Sequence, residues 1–411
     1  MKNVLEWFEA TVAKYPDKPA FSDTESSITF RQVYDIARNT GAYLVEQLGV
    51  DRTPVAVFAG RKMVTPAYFL GVVYAGRPYA PIDASLPDKR IEKILENLCP
   101  RAIVADRESL EHVESIVDEL AKAEGFDRPQ IFIAEDISRF EQVACADSNC
   151  KISESAGDAV TDSENDTDGC VVAGCAGKKD DSSLEKLATV RRQMSMTDPL
   201  YIIYTSGSTG NPKGVMTSHL SLMTYINAYC DVMHIECDDV LGNQSPLDYI
   251  AAIRDIYLPL KTGCSTAIIP KEYFMEPNAL FDYMNDKKVS SVGWSVSAFT
   301  ILTSLGAFEE VGLKSLRKIC FSGSVMPCRV LRKWQENLPE AHFVNQYGPT
   351  EATASCTYYS VDHLVEEDEV LPIGKAYDNY RVFLIDEHGN EPAVGEQGEI
   401  CVCGPILALG Y

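Results

Sequence analysis

The stretch Tyr204-Thr-Ser-Gly-Ser-Thr-Gly-Asn-Pro-Lys213-Gly214 follows an apolar run, Pro199-Leu-Tyr-Ile-Ile-Tyr204, that predicts a buried β-strand. Four serines and threonines, three glycines and one lysine lie within its eleven positions. Glycines let a backbone turn tightly and point several N–H groups at one anion, and the hydroxyls and the lysine add further donors. The stretch therefore predicts a loop that binds a polyphosphate. The common nucleotide loop GxxxxGK[ST] does not fit, because Lys213 is followed by Gly214.

A plain surface turn is the alternative for any loop that is rich in glycine and serine. Two features favour the phosphate loop. A predicted buried strand leads directly into it, and the loop closes on Pro212, Lys213 and Gly214, which places a cation at its end.

The composition sets limits on the class of protein. A chain of 411 residues can bury a large core and is expected to form more than one domain. No run of about 18 apolar residues occurs, and the N-terminus carries acids in an amphipathic pattern instead of a signal peptide, which predicts a cytoplasmic protein without a membrane partner. A net charge of −23 argues against binding nucleic acid. The thirteen cysteines are expected to be reduced thiols.

The chain reads as an α/β protein with two similar lobes of layered sheet and helix and a small β-rich region. We assign residues 1–140 to the first lobe, 183–364 to the second lobe with the phosphate loop, and 365–411 to the β-rich region. Residues 141–182 contain ten acidic residues, three lysines and no aromatic residue, which predicts a disordered insertion. Its cysteine pairs, at positions 145 and 150 and at 170 and 175, have a spacing compatible with zinc, although incidental thiols are the alternative.

Local signals place several elements. Thr29 and Gln32 form a capping-box pattern that opens a helix to residue 48, and Asp106 is the expected N-cap of a helix to residue 123. A helix is predicted over 218–233. Strands are expected at 54–58, 101–105, 130–134, 381–386 and 398–403.

Further blocks extend the phosphate-loop signal along the chain. They are Ile28-Thr-Phe-Arg-Gln-Val-Tyr34, Ala75-Gly-Arg-Pro-Tyr-Ala-Pro-Ile-Asp83, Asn345-Gln-Tyr-Gly-Pro-Thr-Glu351-Ala-Thr353, and Gly398-Glu-Ile-Cys-Val-Cys-Gly404 with Gly410-Tyr411. In this order the chain resembles the acyl-adenylate-forming enzymes, in particular the amino-acid adenylation branch that includes D-alanyl carrier protein ligase and nonribosomal peptide synthetase domains. The resemblance implies ATP-dependent activation of a carboxylic acid as acyl-AMP, with release of pyrophosphate.

The resemblance also implies roles for individual residues. Glu351 would bind Mg²⁺, which is typically held by one or two carboxylates and phosphate oxygens, and Thr205 would assist it. Thr350 would donate to the α-phosphate, and Lys213, Thr350 and Glu351 form the expected catalytic set. Asn345 would bind the adenine amino group, Tyr347 would pack on the base, and Gly323 would let the backbone lie along it. The remaining nucleotide-binding residues are Ser206, Gly207, Ser208, Thr209 and Gly210.

The acid pocket departs from the family pattern. Relatives that activate amino acids carry an aspartate here that binds the substrate ammonium, whereas this chain reads Ser245-Pro-Leu-Asp248-Tyr-Ile250-Ala-Ala-Ile-Arg254-Asp255-Ile-Tyr257. With Asp255 as the anchor, the acidic position falls on Ile250. Three interpretations stay open: the register shifts to Asp248, the substrate has no amino group at this place, or Arg254 binds a second carboxylate. Asp248 and Arg254 as ordinary surface residues are the alternative. Ser322 and Gln346 complete the expected acid-binding set.

The sequence stops at Tyr411, before the ribose-binding aspartate and the small lysine-bearing C-terminal domain that family members carry. The expectation is an N-terminal portion that binds nucleotide and adenylates poorly on its own. The leading function is activation of an amino acid, or another small carboxylic acid, for transfer to the phosphopantetheine thiol of a carrier protein. The alternatives are an acyl- or aryl-CoA synthetase and a truncated ATP-binding module.

Overall fold

The computed structural model describes residues 2–123, 125–139, 181–206 and 210–411. The predicted insertion of 141–182, with its four cysteines, lies outside the described residues except for its last two, which begin a helix at Asp181. Among the described residues, no helix is both long enough and apolar enough to cross a membrane.

The strands form a nine-stranded sheet, a six-stranded sheet and a two-stranded sheet. In chain order they are β1 (Pro19–Ser22), β2 (Ser27–Thr29), β3 (Val55–Phe58), β4 (Tyr79–Pro81), β5 (Ala102–Ala105), β6 (Gln130–Ile133), β7 (Pro199–Ser206), β8 (Pro212–Ser218), β9 (Val240–Asn243), β10 (Ser265–Ile268), β11 (Ser291–Ser295), β12 (Lys318–Ser322), β13 (His342–Tyr347), β14 (Thr357–Val361), β15 (Lys375–Ala376), β16 (Arg381–Ile385) and β17 (Glu399–Cys403).

The helices cover both faces of the two large sheets. They are α1 (Val4–Lys14), α2 (Phe30–Leu48), α3 (Thr65–Tyr74), α4 (Asp88–Leu98), α5 (Leu110–Leu120), α6 (Ala134–Ile137), α7 (Asp181–Gln193), α8 (His219–Met233), α9 (Ile253–Thr262), α10 (Pro277–Asp286), α11 (Val296–Ser304) and α12 (Cys328–Asn337). Helices α1, α2, α3, α8 and α9 contribute to one hydrophobic core between the sheets. Helices α4 and α5 cover the outer face of the six-stranded sheet, and α10 to α12 cover that of the nine-stranded sheet.

Strand β3 shows why the layers form. Its residues alternate in direction, so Val55 and Val57 pack into the central core while Ala56 and Phe58 pack against α4 and α5. A strand buried on both faces is apolar at every position, as parallel sheets require. The order β6-β5-β3-β4-β7-β8 is parallel up to β7, and β8 pairs with β7 in the antiparallel direction.

The two large sheets confirm the expected α/β layering, but they do not divide at the predicted lobe boundaries. Strands β1 and β2, from the first lobe, complete the edge of the nine-stranded sheet, in the order β15-β14-β13-β12-β11-β9-β10-β1-β2. Strands β7 and β8, assigned to the second lobe, complete the six-stranded sheet. The strands of the phosphate-loop hairpin therefore belong to the six-stranded sheet.

Most of the helices and strands predicted from local sequence are confirmed. Thr29 and Gln32 form a capping box at the start of α2, and Ser218 caps α8. The prediction for Asp106 is wrong, because α5 begins at Leu110 and Ser109 precedes it as the N-cap residue. Asp106 instead accepts hydrogen bonds from the Ser109 and Gly60 amides and pairs with Lys62.

We predict that acid destabilises the folded protein through the imidazole of His219, at the start of α8. Its Nδ1 accepts the amide of Val4 at the start of α1, 3.5 Å away, and burial together with the charge of Arg191 lowers its pKa to about 3. The unfolded chain protonates near pH 6.5, so the stability held at neutral pH is lost as the pH falls below that value. Between pH 7 and pH 5, protonation of His219 in the unfolded chain should lower the free energy of unfolding of the wild type by about 2 kcal/mol. We expect this decrease to be absent in His219→Gln.

The measurement is the free energy of unfolding by urea at several pH values for the wild type and the variant. His388→Gln is the matched control, because the His388 side chain is exposed. Equal pH dependence of the wild type and His219→Gln would contradict the assignment.

Candidate functional site

The predicted phosphate loop connects the paired strands β7 and β8. Thr205 lies opposite Lys213 in this hairpin, and Ser206 ends β7. Gly210 has a φ of 78°, a left-handed conformation that glycine adopts at little cost. Gly207, Ser208 and Thr209 lie outside the described residues. The two ends of the loop thus place a threonine hydroxyl and a lysine side by side.

Tyr411 connects Lys213 to Glu351. The Lys213 ammonium lies over the Tyr411 ring, 5.0 Å from its centre, and the Tyr411 hydroxyl donates a 2.7 Å hydrogen bond to Glu351 Oε1. Backbone bonds hold the segment in place, because Met216 in β8 pairs with Gly410 and the Ala408 amide donates to the Glu351 carbonyl at 2.8 Å. The structure therefore brings the predicted cation and the predicted metal ligand to one place.

Glu351 lies in a 3₁₀ turn over Thr350–Ala352, directly after β13. Gly348 makes the entry to this turn possible, because a Cβ there would lie 2.5 Å from the Ser355 Cα. After the turn, Thr353 has a φ of 48° and its hydroxyl donates to the Ile406 carbonyl at 2.6 Å. The turn is thus packed closely on the chain that follows it, which fixes the Glu351 backbone.

The end of β13 presents alternate side chains to its two faces. The Asn345 amide donates to the Pro372 carbonyl at 2.9 Å, and the Tyr347 ring is 40% exposed. Gly323 follows β12, the neighbouring strand, with a φ of 94° and with open space where a Cβ would be. Thr350 follows three residues beyond Tyr347. These residues lie at the carboxyl edge of parallel strands, where open α/β sheets bind ligands.

The side chains present fit a nucleotide with a divalent cation. A cation and a left-handed glycine lie at the ends of the predicted phosphate loop, and an exposed aromatic ring lies near a glycine without a side chain in the way. Among the described residues no group of three or more His, Cys, Asp or Glu could hold a metal by itself. Glu351 would therefore hold Mg²⁺ together with phosphate oxygens, as is usual for this ion.

The residues predicted to bind the acid separate into two places. Arg254, on α9, is 1% exposed and contacts Gln346 on β13, where Nη1 lies 3.4 Å from Oε1. Ile250 is buried four residues before Arg254, in the turn that leads into α9. Ser322 ends β12, two residues after Cys320, whose sulfur lies 3.6 Å from the Arg254 Nη1.

Asp248 lies in the other place. It lines a cavity of about 840 Å³ with residues of both large sheets, including Arg61, Asp83 and Lys271. Burial raises the pKa of Asp248, and the neighbouring carboxylate of Asp83 raises it further. Arg254, Gln346 and Ser322 are not among the described residues that line this cavity. The structure therefore brings Arg254 and Gln346 into contact, places Ile250 and Ser322 nearby along the chain, and leaves Asp248 on the wall of the separate cavity.

Several residues of the site were not singled out from the sequence. Tyr411 and Gly348 stand in the blocks that carried the resemblance, but only the fold shows their contacts. Tyr225, close to Arg254, comes from α8, and Tyr377, close to Tyr225, comes from the segment after β15; no motif marks either of them.

Comparisons with known proteins identify the family and the fold of the chain. The sequence profile of one family, described as AMP-binding enzyme, matches residues 8–411. The chain is 28% identical to the D-alanine--D-alanyl carrier protein ligase of Bacillus cereus (strain B4264) over 412 aligned positions, which cover 99% of this chain and 71% of that protein.

Solved structures share the fold. The nonribosomal peptide synthetase FmoA3 in its AMPPNP-bound form superposes with a TM-score of 0.77 at 21% identity, and this chain spans 38% of its length. The N-terminal subdomain of Klebsiella oxytoca NpsA, in complex with 3-hydroxyanthranilyl-AMSN, gives 0.73 at 18% identity over 89% of its length. Each superposition covers 100% of this chain, and at these identities the likeness establishes the fold alone.

Proposed function

The chain belongs to the AMP-binding enzyme family of adenylate-forming ligases, and on that premise we propose that it activates an amino acid or another small carboxylic acid for transfer to a carrier-protein thiol. The observation that carries the proposal is the contact of Tyr411 with both Lys213 and Glu351, which brings a cation at the start of β8, in the six-stranded sheet, close to a carboxylate that follows β13, in the nine-stranded sheet. ATP with Mg²⁺ is the ligand that needs both.

In the proposed reaction a carboxylate oxygen of the acid attacks the α-phosphorus of ATP, and the bond to pyrophosphate breaks. Two anions approach each other and negative charge grows on the leaving group, so the protein must position both and neutralise that charge. Mg²⁺, when bound, supplies charge neutralisation at the phosphate oxygens. Lys213 and the loop from Thr205 to Gly210 would hold the β- and γ-phosphates, and the Thr350 hydroxyl would donate to the α-phosphate.

The adenosine end has its own contacts in this proposal. Asn345 is held by its amide donation to Pro372, and its amide oxygen would accept the adenine amino group. Tyr347 offers an exposed ring for stacking, and Gly323 admits the base without a clash. The N-terminal subdomain of NpsA, a chain of similar extent, is in complex with 3-hydroxyanthranilyl-AMSN, which supports ligand binding by a unit of this size.

The D-alanine--D-alanyl carrier protein ligases among the relatives favour a carrier protein as the thiol partner. The buried Ile250 favours a second candidate, an acyl- or aryl-CoA synthetase, because an isoleucine offers no charge to a substrate ammonium. Acid-dependent thioester formation with coenzyme A against a phosphopantetheinylated carrier separates these two proposals.

The first test is calorimetric titration with Mg-ATP, followed by ATP–pyrophosphate exchange with a panel of acids. We expect Mg-ATP binding, and exchange that depends on one class of acid. The wild type should bind ATP more tightly with Mg²⁺ than with EDTA, since the phosphates and Glu351 would share the ion. A folded chain that ignores Mg-ATP would contradict the proposal, and ATP binding without any acid-dependent exchange would favour a non-catalytic nucleotide-binding module.

A further inference from the structure

Arg254 carries a buried charge that forms no ion pair with the carboxylates of the described residues. Its guanidinium is 1% exposed, and Nη2 donates to the Gly293 carbonyl at 2.7 Å. Nε has no hydrogen-bond partner among the described residues, and no carboxylate in that part of the chain forms an ion pair with Arg254. The buried carboxylate of Asp255, the next residue, is close enough for its charge to act on Arg254, but it accepts its hydrogen bond from Asn243, at 2.8 Å.

Other buried donors, close to Arg254 or to the neighbouring Tyr225, are also without a partner in the described part of the chain. The hydroxyls of Tyr225 and Tyr377 and the Nε2 of Gln346 have no hydrogen-bond partner among the residues that the structure describes. The Tyr225 hydroxyl interacts with Arg254 and Ser355, yet neither contact reaches hydrogen-bond geometry. We call Tyr225, Arg254, Gln346 and Tyr377 the Arg254 cluster.

The fold makes room for this arginine. A Cβ on Gly293 would lie 2.9 Å from the Arg254 Cζ, so only glycine lets the guanidinium lie against β11. The ring of Tyr229 lies on another side, with its centre 5.6 Å from Cζ. An arginine is planar and always charged, and its donors match the geometry of a carboxylate.

A buried, unpaired guanidinium is costly, and unsatisfied donors add to the cost. Bridging waters would satisfy the hydroxyls and the amide, but they would leave the charge uncompensated. An anion with several acceptor atoms satisfies both demands, because a carboxylate accepts from a guanidinium and from neighbouring hydroxyls together. The Arg254 cluster is therefore built for an acidic group.

The position of the cluster relates it to the reaction. Cys320, in contact with Arg254, stands two residues before the end of β12, which corresponds to about 6–7 Å along a strand. Gln346 directly precedes Tyr347, and Thr350 and Glu351 follow at the same edge. A short acid whose distal group reaches Arg254 would present its other end to the nucleotide.

We propose that the acid activated by this protein is a short dicarboxylic acid, whose second carboxylate binds Arg254 and the donors of the Arg254 cluster. The inference rests on the proposed function, since it names the substrate class of that same site. It also accounts for Ile250: the distal carboxylate, paired with Arg254, orients the substrate in place of an ammonium paired with an acid.

The test is calorimetric binding of acids to the full chain in saturating Mg-AMPPNP, which excludes turnover. Succinate, glutarate and L-aspartate are compared with succinamate, which replaces one carboxylate by an amide, and with butyrate and D-alanine. We expect at least one diacid to bind about 10- to 100-fold more tightly than the monoacids, the range for hydrogen bonds to a charged group. In Arg254→Met this preference should disappear, and in Arg254→Lys it should be partly retained.

Two readouts separate the possible failures. AMPPNP affinity should stay unchanged in Arg254→Met, because the proposed nucleotide contacts do not include Arg254, and a cooperative thermal transition checks that the variant is folded. Equal binding of monoacids and diacids by the wild type, or a preference that survives Arg254→Met, would overturn this inference while leaving the proposed function intact. Failure of the folded wild type to bind AMPPNP would overturn the proposed function and this inference with it.

Discussion

A Glu351→Gln variant is expected to lower the rate of acid-dependent ATP–pyrophosphate exchange by about 10²–10³-fold, the effect of losing one preorganised electrostatic contact to the transition state. Glutamine keeps the length of the side chain and an oxygen that accepts from the Tyr411 hydroxyl, so the 2.7 Å contact to the C-terminal segment is preserved. What the variant loses is the negative charge that would hold Mg²⁺. The Mg²⁺ dependence of ATP binding, measured by calorimetry, should therefore decrease as well.

Lys213→Ala provides the complementary change on the other side of Tyr411. It removes the cation proposed for the β- and γ-phosphates, so ATP binding should weaken both with Mg²⁺ and without it.

Glu114→Gln is the matched control for Glu351→Gln, because Glu114 is an exposed glutamate on α5. An exchange rate in Glu351→Gln within twofold of the wild type would exclude Glu351 as the metal ligand.

The sequence predicted the parts of the site that depend on local chemistry. Strand β7 and the helix after β8 were predicted over nearly their observed bounds, from signals that act over a few residues. The capping box of α2 was predicted for the same reason. Asp106 shows the limit of such signals, since a carboxylate before a helix can cap it or accept from nearby loop amides, and tertiary contacts with Gly60 and Lys62 decided the outcome.

Contacts between distant segments could not be predicted. Tyr411 and Glu351 are 60 residues apart, and their hydrogen bond depends on the pairing of Met216 with Gly410. Strands β1 and β2 join the nine-stranded sheet because the edge of β1 meets β10 there. The alternation of apolar and polar residues along a strand does not specify which other strand it will pair with. Arg254 was singled out from its chemistry, but its surroundings, which offer it no ion pair among the described residues, are built by three strands and two helices together.

An Asp239→Ala variant is expected to lose about 3–5 kcal/mol of unfolding free energy, the usual cost of breaking a buried ion pair by removing one partner. The Asp239 side chain is fully buried just before β9, where Oδ2 lies 2.6 Å from the Lys318 ammonium and Oδ1 lies 2.8 Å from Arg317. The Ser290 hydroxyl also donates to Oδ1, at 2.7 Å. One carboxylate thus joins the starts of β9, β11 and β12, and its removal leaves the Lys318 charge buried.

Urea unfolding measures this loss, and Asp118→Ala is the matched control. Asp118 makes an ion pair with Arg128 at 2.7 Å, but both side chains are about half exposed, so its removal should cost less than about 1 kcal/mol. Two ion pairs of similar length would then differ severalfold in their contribution because only one of them is shielded from water. Since Gly293 lies in the middle of β11 and Ser322 at the end of β12, Asp239→Ala should also weaken acid binding at temperatures where the variant is still folded. Equal losses in the two variants would show that burial of Asp239 does not govern the strength of its ion pairs.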